Sequence, residues 1–156
     1  MTEHSQSRRF FAIVPAAGVG KRVGANTPKQ YLSIHGKTIL EHTLTELLAV
    51  PRIEKIIVPI GADDDYWREL AIFSSPRIEV VEGGVERVDS VLAGLKLCAQ
   101  QADQDDWVLV HDVARPCIQC DSVNHLIDTL KYHPVGGLLA VPATDTIKQA
   151  SEQQVE

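Results

Sequence analysis

The segment Pro15-Ala-Ala-Gly-Val-Gly-Lys-Arg22 joins small residues to two bases. Small residues let backbone N–H groups approach a ligand closely, and such groups cradle phosphates. Lys29 follows, so Lys21, Arg22 and Lys29 place three cations in or just beyond one loop. The wider segment agrees. His4 to Leu40 holds six basic side chains (Arg8, Arg9, Lys21, Arg22, Lys29 and Lys37) and no Asp or Glu. The 116 residues after Leu40 carry twenty acidic side chains against nine basic ones. A basic segment inside an acidic chain points to a bound anion, and the loop makes a polyphosphate the expected one. It is not a Walker A loop, because Arg22 stands where Ser or Thr would hold magnesium. It is not the dinucleotide fingerprint, because the glycines fall at 18, 20 and 24 and no acid follows the second strand at the ribose position. The bland alternative is an ordinary strand-to-helix turn with an exposed basic edge.

Asp112 follows the apolar run Trp107–Val110, in His111-Asp-Val-Ala-Arg-Pro116. An aspartate at the end of a buried strand is well placed to ligate Mg2+ bridging phosphates. A turn or cap aspartate is the alternative. Arg115 could fork onto the phosphate of a second substrate, or simply form a surface ion pair. In Glu82-Gly-Gly-Val-Glu-Arg-Val-Asp-Ser90, Gly83-Gly84 permits close backbone approach, and Ser90 on the first helical turn could point back to a ligand. A lone Gly-Gly is usually only a turn. Cys117-Ile-Gln-Cys120 has half of a zinc spacing, without a second Cys pair or a suitably spaced His pair. His111 reads as a packing or hydrogen-bonding strand residue rather than a general base. No Ser/His/Asp nucleophile arrangement is readable.

The elements that must position these residues follow from periodicity. Strands are expected at Phe10–Val14, Ile53–Ile60, Ile78–Val81, Trp107–His111 and Gly137–Pro142. Helices are expected from Ile39 to Leu48, stopping before Pro51, and over Ala62–Phe73, Val88–Ala99 and Val123–Leu130; Ala16–Pro28 reads as a loop. Strands alternating with helices imply βαβ units and a mostly parallel sheet with helices on both faces, an α/β fold. Ligands in such sheets bind at the carboxyl ends of strands. That rule selects the loop after Val14, the loop after Val81 and the residues after Val110.

The 156 residues fit one domain. Hydrophobic residues make up 44% and charged residues 23%, which excludes a disordered or fibrous chain. No run of 18 apolar residues spans a membrane, and no cleavable signal pattern opens the chain. Three cysteines, an odd number, fit a reducing cytoplasm rather than a disulfide framework. The net charge of −6 argues against a general nucleic-acid binder.

In combination, PAAGVGKR, PKQYLSIHGKTILEHTL, EGGVERVDSVLAGL, VLVHDVARP and ATDTIK closely resemble the 2-C-methyl-D-erythritol 4-phosphate cytidylyltransferase family of the non-mevalonate isoprenoid pathway. The resemblance runs from about Ala12 to Lys148, in the right order and spacing. It implies a Rossmann-like nucleotidyltransferase fold with a protruding β-arm that clasps a second subunit, and hence a homodimer. By resemblance, Arg22 and Lys29 match the catalytic basic pair that holds the CTP phosphates and stabilises the transition state. Gly18, Gly20 and Lys21 match the phosphate loop; Ala16, Ala17, Gly84 and Ser90 match the positions that read cytosine. Asp112 matches the Mg2+ and sugar-contacting aspartate, and Arg115 a contact to methylerythritol phosphate. Thr146 matches an arm threonine reaching the other subunit's substrate. Val85 stands where some members carry Asp. The resemblance also implies a single nucleotidyltransferase domain over residues 1–156 that ends within the dimerisation arm, before a returning segment with Thr-Pro-Gln and a late Lys and Arg.

The activity so implied is Mg2+-dependent transfer of the cytidylyl group of CTP to 2-C-methyl-D-erythritol 4-phosphate. Its nucleophile is a phosphate oxygen already anionic at neutral pH, which fits the lack of a readable general base. A related cytidylyltransferase making CDP-ribitol shares the loops, and a non-catalytic CTP-binding module is the alternative from another class.

Overall fold

The computed structural model describes residues 8–18 and 27–144, and the backbone of 150–151 and 154–155. Strand β1, Phe10–Ile13, is buried along its whole length. A hairpin follows, β2 (Ser33–Ile34) and β3 (Lys37–Thr38), turned at His35-Gly36 with φ of 50° and 81°. Positive φ at both central residues makes a two-residue hairpin turn, and the glycine removes the strain at its second position. Helix α1, Ile39–Leu48, starts at once because Thr38 caps it. Thr38 Oγ1 accepts from the Glu41 N–H at 3.1 Å, and the Glu41 carboxylate accepts from the Thr38 N–H at 2.8 Å.

Strand β4 (Ile53–Ile60) and strand β5 (Ile78–Glu82) precede helix α2 (Arg87–Cys98); strand β6 (Trp107–Val110) and helix α3 (Cys120–Leu130) follow. The principal sheet is parallel, in the order β5-β4-β1-β6. The chain walks outward from β1 through β4 to β5, then crosses back to lay β6 on the other side of β1. The carboxyl ends of β1 and β6 thus flank the place where strand order reverses, where open α/β sheets form a crevice.

Side chains alternate between the two faces of β1. Phe10, Ala12 and Val14 join Leu40, Leu44 and Leu47 of α1 and Val123 and Ile127 of α3 in one layer. Phe11 and Ile13 face the other way, with Ile57 of β4 and Cys98 of α2. Helices therefore cover both faces. Ile53 and Ile56 share a face although they are an odd number of positions, three, apart. The register accounts for this: Phe10 pairs with Ile53 and Phe11 with Lys55, so Glu54 bulges out of the ladder.

Two expected elements differ. Ala62–Phe73 is not one helix but two 3-10 turns, Tyr66–Glu69 and Ala71–Ser74, broken by an extended Leu70. Asp64 is committed elsewhere: it accepts the Tyr31 hydroxyl at 2.8 Å and the Tyr66 N–H at 3.1 Å, an Asx-type turn that competes with helix. Gly137–Pro142 is not a strand. It has no regular structure, and Leu138 and Val141 are 76% and 89% exposed. An apolar run becomes a strand only against a partner, and this one follows Gly136, whose φ of 102° turns the chain over Trp107. The polar residues from Ala150 onward contain a short antiparallel pair, β7 (Ala150–Ser151) with β8 (Gln154–Val155).

Candidate active site

The carboxyl ends of β1, β5 and β6 enclose a cleft of about 420 Å3, lined by residues 15–18, 29–30, 84–87, 90 and 112–115. Its first wall continues β1. The Val14 N–H donates to the Ile57 carbonyl at 2.9 Å and the Ala16 N–H to the Pro59 carbonyl at 2.8 Å, so the loop leaves the sheet only after Ala16. The loop after β5 lies against it. A Cβ on Gly83 would sit 2.6 Å from Ala17 Cβ and 2.9 Å from Ser90 Oγ. Only glycine lets these two loops touch. Ser90 is buried, and its hydroxyl accepts from the Gly84 N–H at 3.1 Å, which fixes the turn into α2.

The second wall carries Lys29, which is exposed and opens a short 3-10 helix, Lys29–Tyr31, after Pro28. Its neighbours anchor it. Gln30 is 2% exposed, and its side-chain amide donates to the Ala16 carbonyl at 2.8 Å and the Gly18 carbonyl at 3.2 Å. The buried Tyr31 hydroxyl donates to Asp64. Burial, reinforced by that acceptor, holds its ionisation far above the ordinary range. Lys29 is thus held to the loop after β1 on one side and to the loop after β4 on the other.

The third wall follows β6. Thr43 of α1, fully buried, donates to the Val113 carbonyl at 2.7 Å and pins the turn that holds Asp112. Arg87 Nε donates to Asp112 Oδ1 at 2.8 Å and Arg115 Nε to Asp112 Oδ2 at 3.2 Å. Burial works against ionisation of Asp112, but the Arg87 hydrogen bond and charge, seconded by Arg115, hold its carboxyl below the ordinary range. The His111 ring lies 3.0 Å from the Arg115 carbonyl through Nε2. It stands just past the end of β6 rather than in the strand.

Ala16, Ala17, Gly18, Lys29, Gly84, Ser90, Asp112 and Arg115 therefore border one cleft. Gly20, Lys21, Arg22 and Thr146 lie outside the described residues. Among the lining residues to which the sequence assigns no role, Gln30 and Arg87 make the side-chain contacts described above. Arg87 stands inside the glycine segment read for chemistry, and a base four residues past Gly83 was the available signal. Gln30 had only its place between Lys29 and an aromatic residue. Among the described residues no group of three or more His, Cys, Asp or Glu is placed to hold a metal ion. Cys120 Sγ lies 3.2 Å from the Ala49 carbonyl, and Cys117 is exposed. No helix among the described residues is long and apolar enough to cross a membrane.

Comparison with known proteins bears on this arrangement. The family model described as IspD, 2-C-methyl-D-erythritol 4-phosphate cytidylyltransferase, matches residues 10–156. A protein of that description from Vibrio vulnificus strain CMCP6 is 52% identical over 144 residues, covering 92% of this chain and 61% of its own length. A crystal structure of 4-diphosphocytidyl-2C-methyl-D-erythritol synthase superposes with a TM-score of 0.81 at 33% identity, over 97% of this chain and 68% of that one. The Francisella tularensis 2-C-methyl-D-erythritol 4-phosphate cytidylyltransferase gives a TM-score of 0.77 at 38% identity, over 94% of this chain and 64% of that one. The chain spans about three fifths of the length of the curated relatives it matches. With a parallel α/β sheet of that nucleotidyltransferase type and a match over nearly its whole length, the chain belongs to the IspD family of 2-C-methyl-D-erythritol 4-phosphate cytidylyltransferases.

Proposed function

We propose that the protein transfers the cytidylyl group of CTP to 2-C-methyl-D-erythritol 4-phosphate, giving 4-diphosphocytidyl-2-C-methyl-D-erythritol and pyrophosphate, in isoprenoid precursor biosynthesis. The observation that carries the reading is the convergence of Lys29, the Gly84–Ser90 turn and Asp112 on one cleft at the strand ends, in a chain of this family. A phosphate oxygen of the acceptor attacks the α-phosphorus of CTP; a phosphorus–oxygen bond forms, and the bond to the β-phosphate breaks. No proton need be removed from the nucleophile. The obstacle is charge, since two polyanions meet and negative charge gathers at the reacting phosphorus.

Fixed cations and dipoles aimed at that charge lower the barrier because they need not reorganise. In our reading Lys29 is one such cation, held by Gln30 and Tyr31, and Arg22 is its partner. Ala16, Ala17, Gly84 and Ser90 form the cytosine side; Gly18, Gly20 and Lys21 serve the phosphates. Arg115 receives the acceptor's phosphate, together with Thr146 of a second subunit in a homodimer. Asp112 fits Mg2+ by its chemistry: it is one ionised hard-oxygen ligand lining the cleft, and Mg2+ is usually held by one or two carboxylates with substrate phosphates completing its shell. When bound, the ion would neutralise and orient the triphosphate. One nucleotidyltransferase domain working in the cytoplasm completes the proposal. Pyrophosphate release from CTP, with methylerythritol phosphate and with ribitol phosphate as acceptors, tests it. We expect release with the former; release only with the latter, or with neither, overturns the assignment.

A further inference from the structure

Asp112 is surrounded by the wrong charge for a free cation. Its Oδ1 is taken by Arg87 Nε at 2.8 Å and its Oδ2 by Arg115 Nε at 3.2 Å. One carboxylate faces two guanidinium groups, so the cluster is net positive, and among the described residues no further acids join it to make a metal cage. A bare divalent cation arriving here meets repulsion and a ligand already engaged. A triphosphate reverses the sign, because it supplies more negative charge than the two arginines supply positive.

Arg87 makes the shorter of the two contacts and is free to yield it. It comes from another element, at the first position of α2, and its side chain is 61% exposed. It borders both the cleft and the neighbouring trough beside β6, so its guanidinium can leave Asp112 without leaving the site. Arg115, 75% exposed and bordering both cavities as well, differs in that its main chain stays beside Asp112, whose carbonyl accepts its N–H at 3.0 Å.

We propose that Arg87 guards Asp112: in the empty site its guanidinium holds the carboxylate oxygen a divalent cation needs, so the cation enters only with a polyphosphate that draws Arg87 away. The inference rests on the nucleotide and Mg2+ reading above. Arg87 is a positioning residue in this scheme, an exchangeable counter-ion that orders the arrival of ligands.

Mn2+ without nucleotide is the probe, followed by the paramagnetic signal of the free ion. Arg87→Met should bind Mn2+ about tenfold more tightly than the wild type, the order of one charge-assisted hydrogen bond removed from competition. Arg87→Lys should stay near the wild type. Adding Asp112→Asn to Arg87→Met should abolish the gain. Equal Mn2+ affinity in the wild type and Arg87→Met overturns the proposal, and so does a gain that survives Asp112→Asn. Thermal melts of the variants check that this exposed position leaves the fold intact. CTP binding to the wild type with Mn2+ present is a separate arm. Its failure removes the cytidylyltransferase reading, while the nucleotide-free titration still decides whether Arg87 competes with metal for Asp112.

Discussion

The two rims of the parallel sheet use arginine–carboxylate pairs in opposite ways. At the amino rim, Arg9 precedes β1 and Asp106 precedes β6. The Asp106 side chain is 5% exposed and accepts from the Arg9 N–H at 2.8 Å, the Arg9 Nε at 3.0 Å and the Asp103 N–H at 2.8 Å. Beside β5, Arg77 donates to the Leu48, Val50 and Ile53 carbonyls. Arg9 and Asp106 are tied to main chain as well as to each other, and Arg77 to main chain, so the strands cannot shift without breaking these bonds. At the carboxyl rim, the Asp112 carboxylate bonds to the side chains of Arg87 and Arg115, and both arginines are well exposed. The same chemical pair is a clamp when backbone donors share it and a replaceable contact when they do not.

The sharpest test of that contrast lies on the carboxyl rim. Lys29→Ala should lower turnover by about 10³-fold, the lower end of what one charge-stabilising cation is worth in phosphoryl transfer. Its melting temperature should match the wild type, because the side chain is exposed. Steady-state pyrophosphate release beside a thermal melt decides; unchanged turnover would remove Lys29 from the chemistry.

Next in size is the amino rim. Asp106→Asn should cost about 2–3 kcal/mol of stability, since it leaves buried donors poorly matched, with kcat and KM unchanged. Burial alone would raise the Asp106 carboxyl, but the N–H groups of Arg9 and Asp103 and the Arg9 guanidinium hold it below its ordinary range. A depressed carboxyl stabilises the fold above the unfolded-state range and loses that contribution as pH falls through the folded value. The deficit of Asp106→Asn should therefore be full at neutral pH and shrink below about pH 4. Denaturant melts at both pH values check this, and a deficit independent of pH would refute the ionic clamp.

The smallest expected effect belongs to Gln30, which touches the site yet bonds to main chain like the amino rim. Gln30→Leu should cost about 1–2 kcal/mol by orphaning the Ala16 and Gly18 carbonyls. If the bond positions Lys29, kcat should also fall about tenfold, roughly 1.4 kcal/mol of barrier, more than KM rises. A stability loss with kcat intact would make Gln30 structural only.

What was legible in the sequence was whatever rests on local pattern. The apolar runs at Phe10, Ile53, Ile78 and Trp107 are strands, and the 3.6-residue periods from Ile39, Val88 and Val123 are helices. The cleft lies at the strand ends that the rule for open sheets selects. Gln30 and Arg87 were not legible as site residues, because their partners lie far along the chain: Ala16 for one, Asp112 for the other. A polar residue's role depends on what folding brings beside it, and periodicity carries no record of that. Gly137–Pro142 fails for a related reason. Its apolar composition is that of a strand, but a ladder also needs a neighbour, which composition cannot supply.

The bulge at Glu54 gives β4 one residue more than its neighbour requires. With Glu54 removed, Ile53, Lys55 and Ile56 would alternate inward, outward, inward, and every core side chain would keep its present face. Anywhere else in the strand, losing one residue would turn half of it inside out. What goes with Glu54 is an outlying contact, its carboxylate 3.6 Å from Arg9 Nη1. In evolutionary terms this is the sheet's spare stitch, the point where the chain can change length by one without the fold losing its sense of inside and outside.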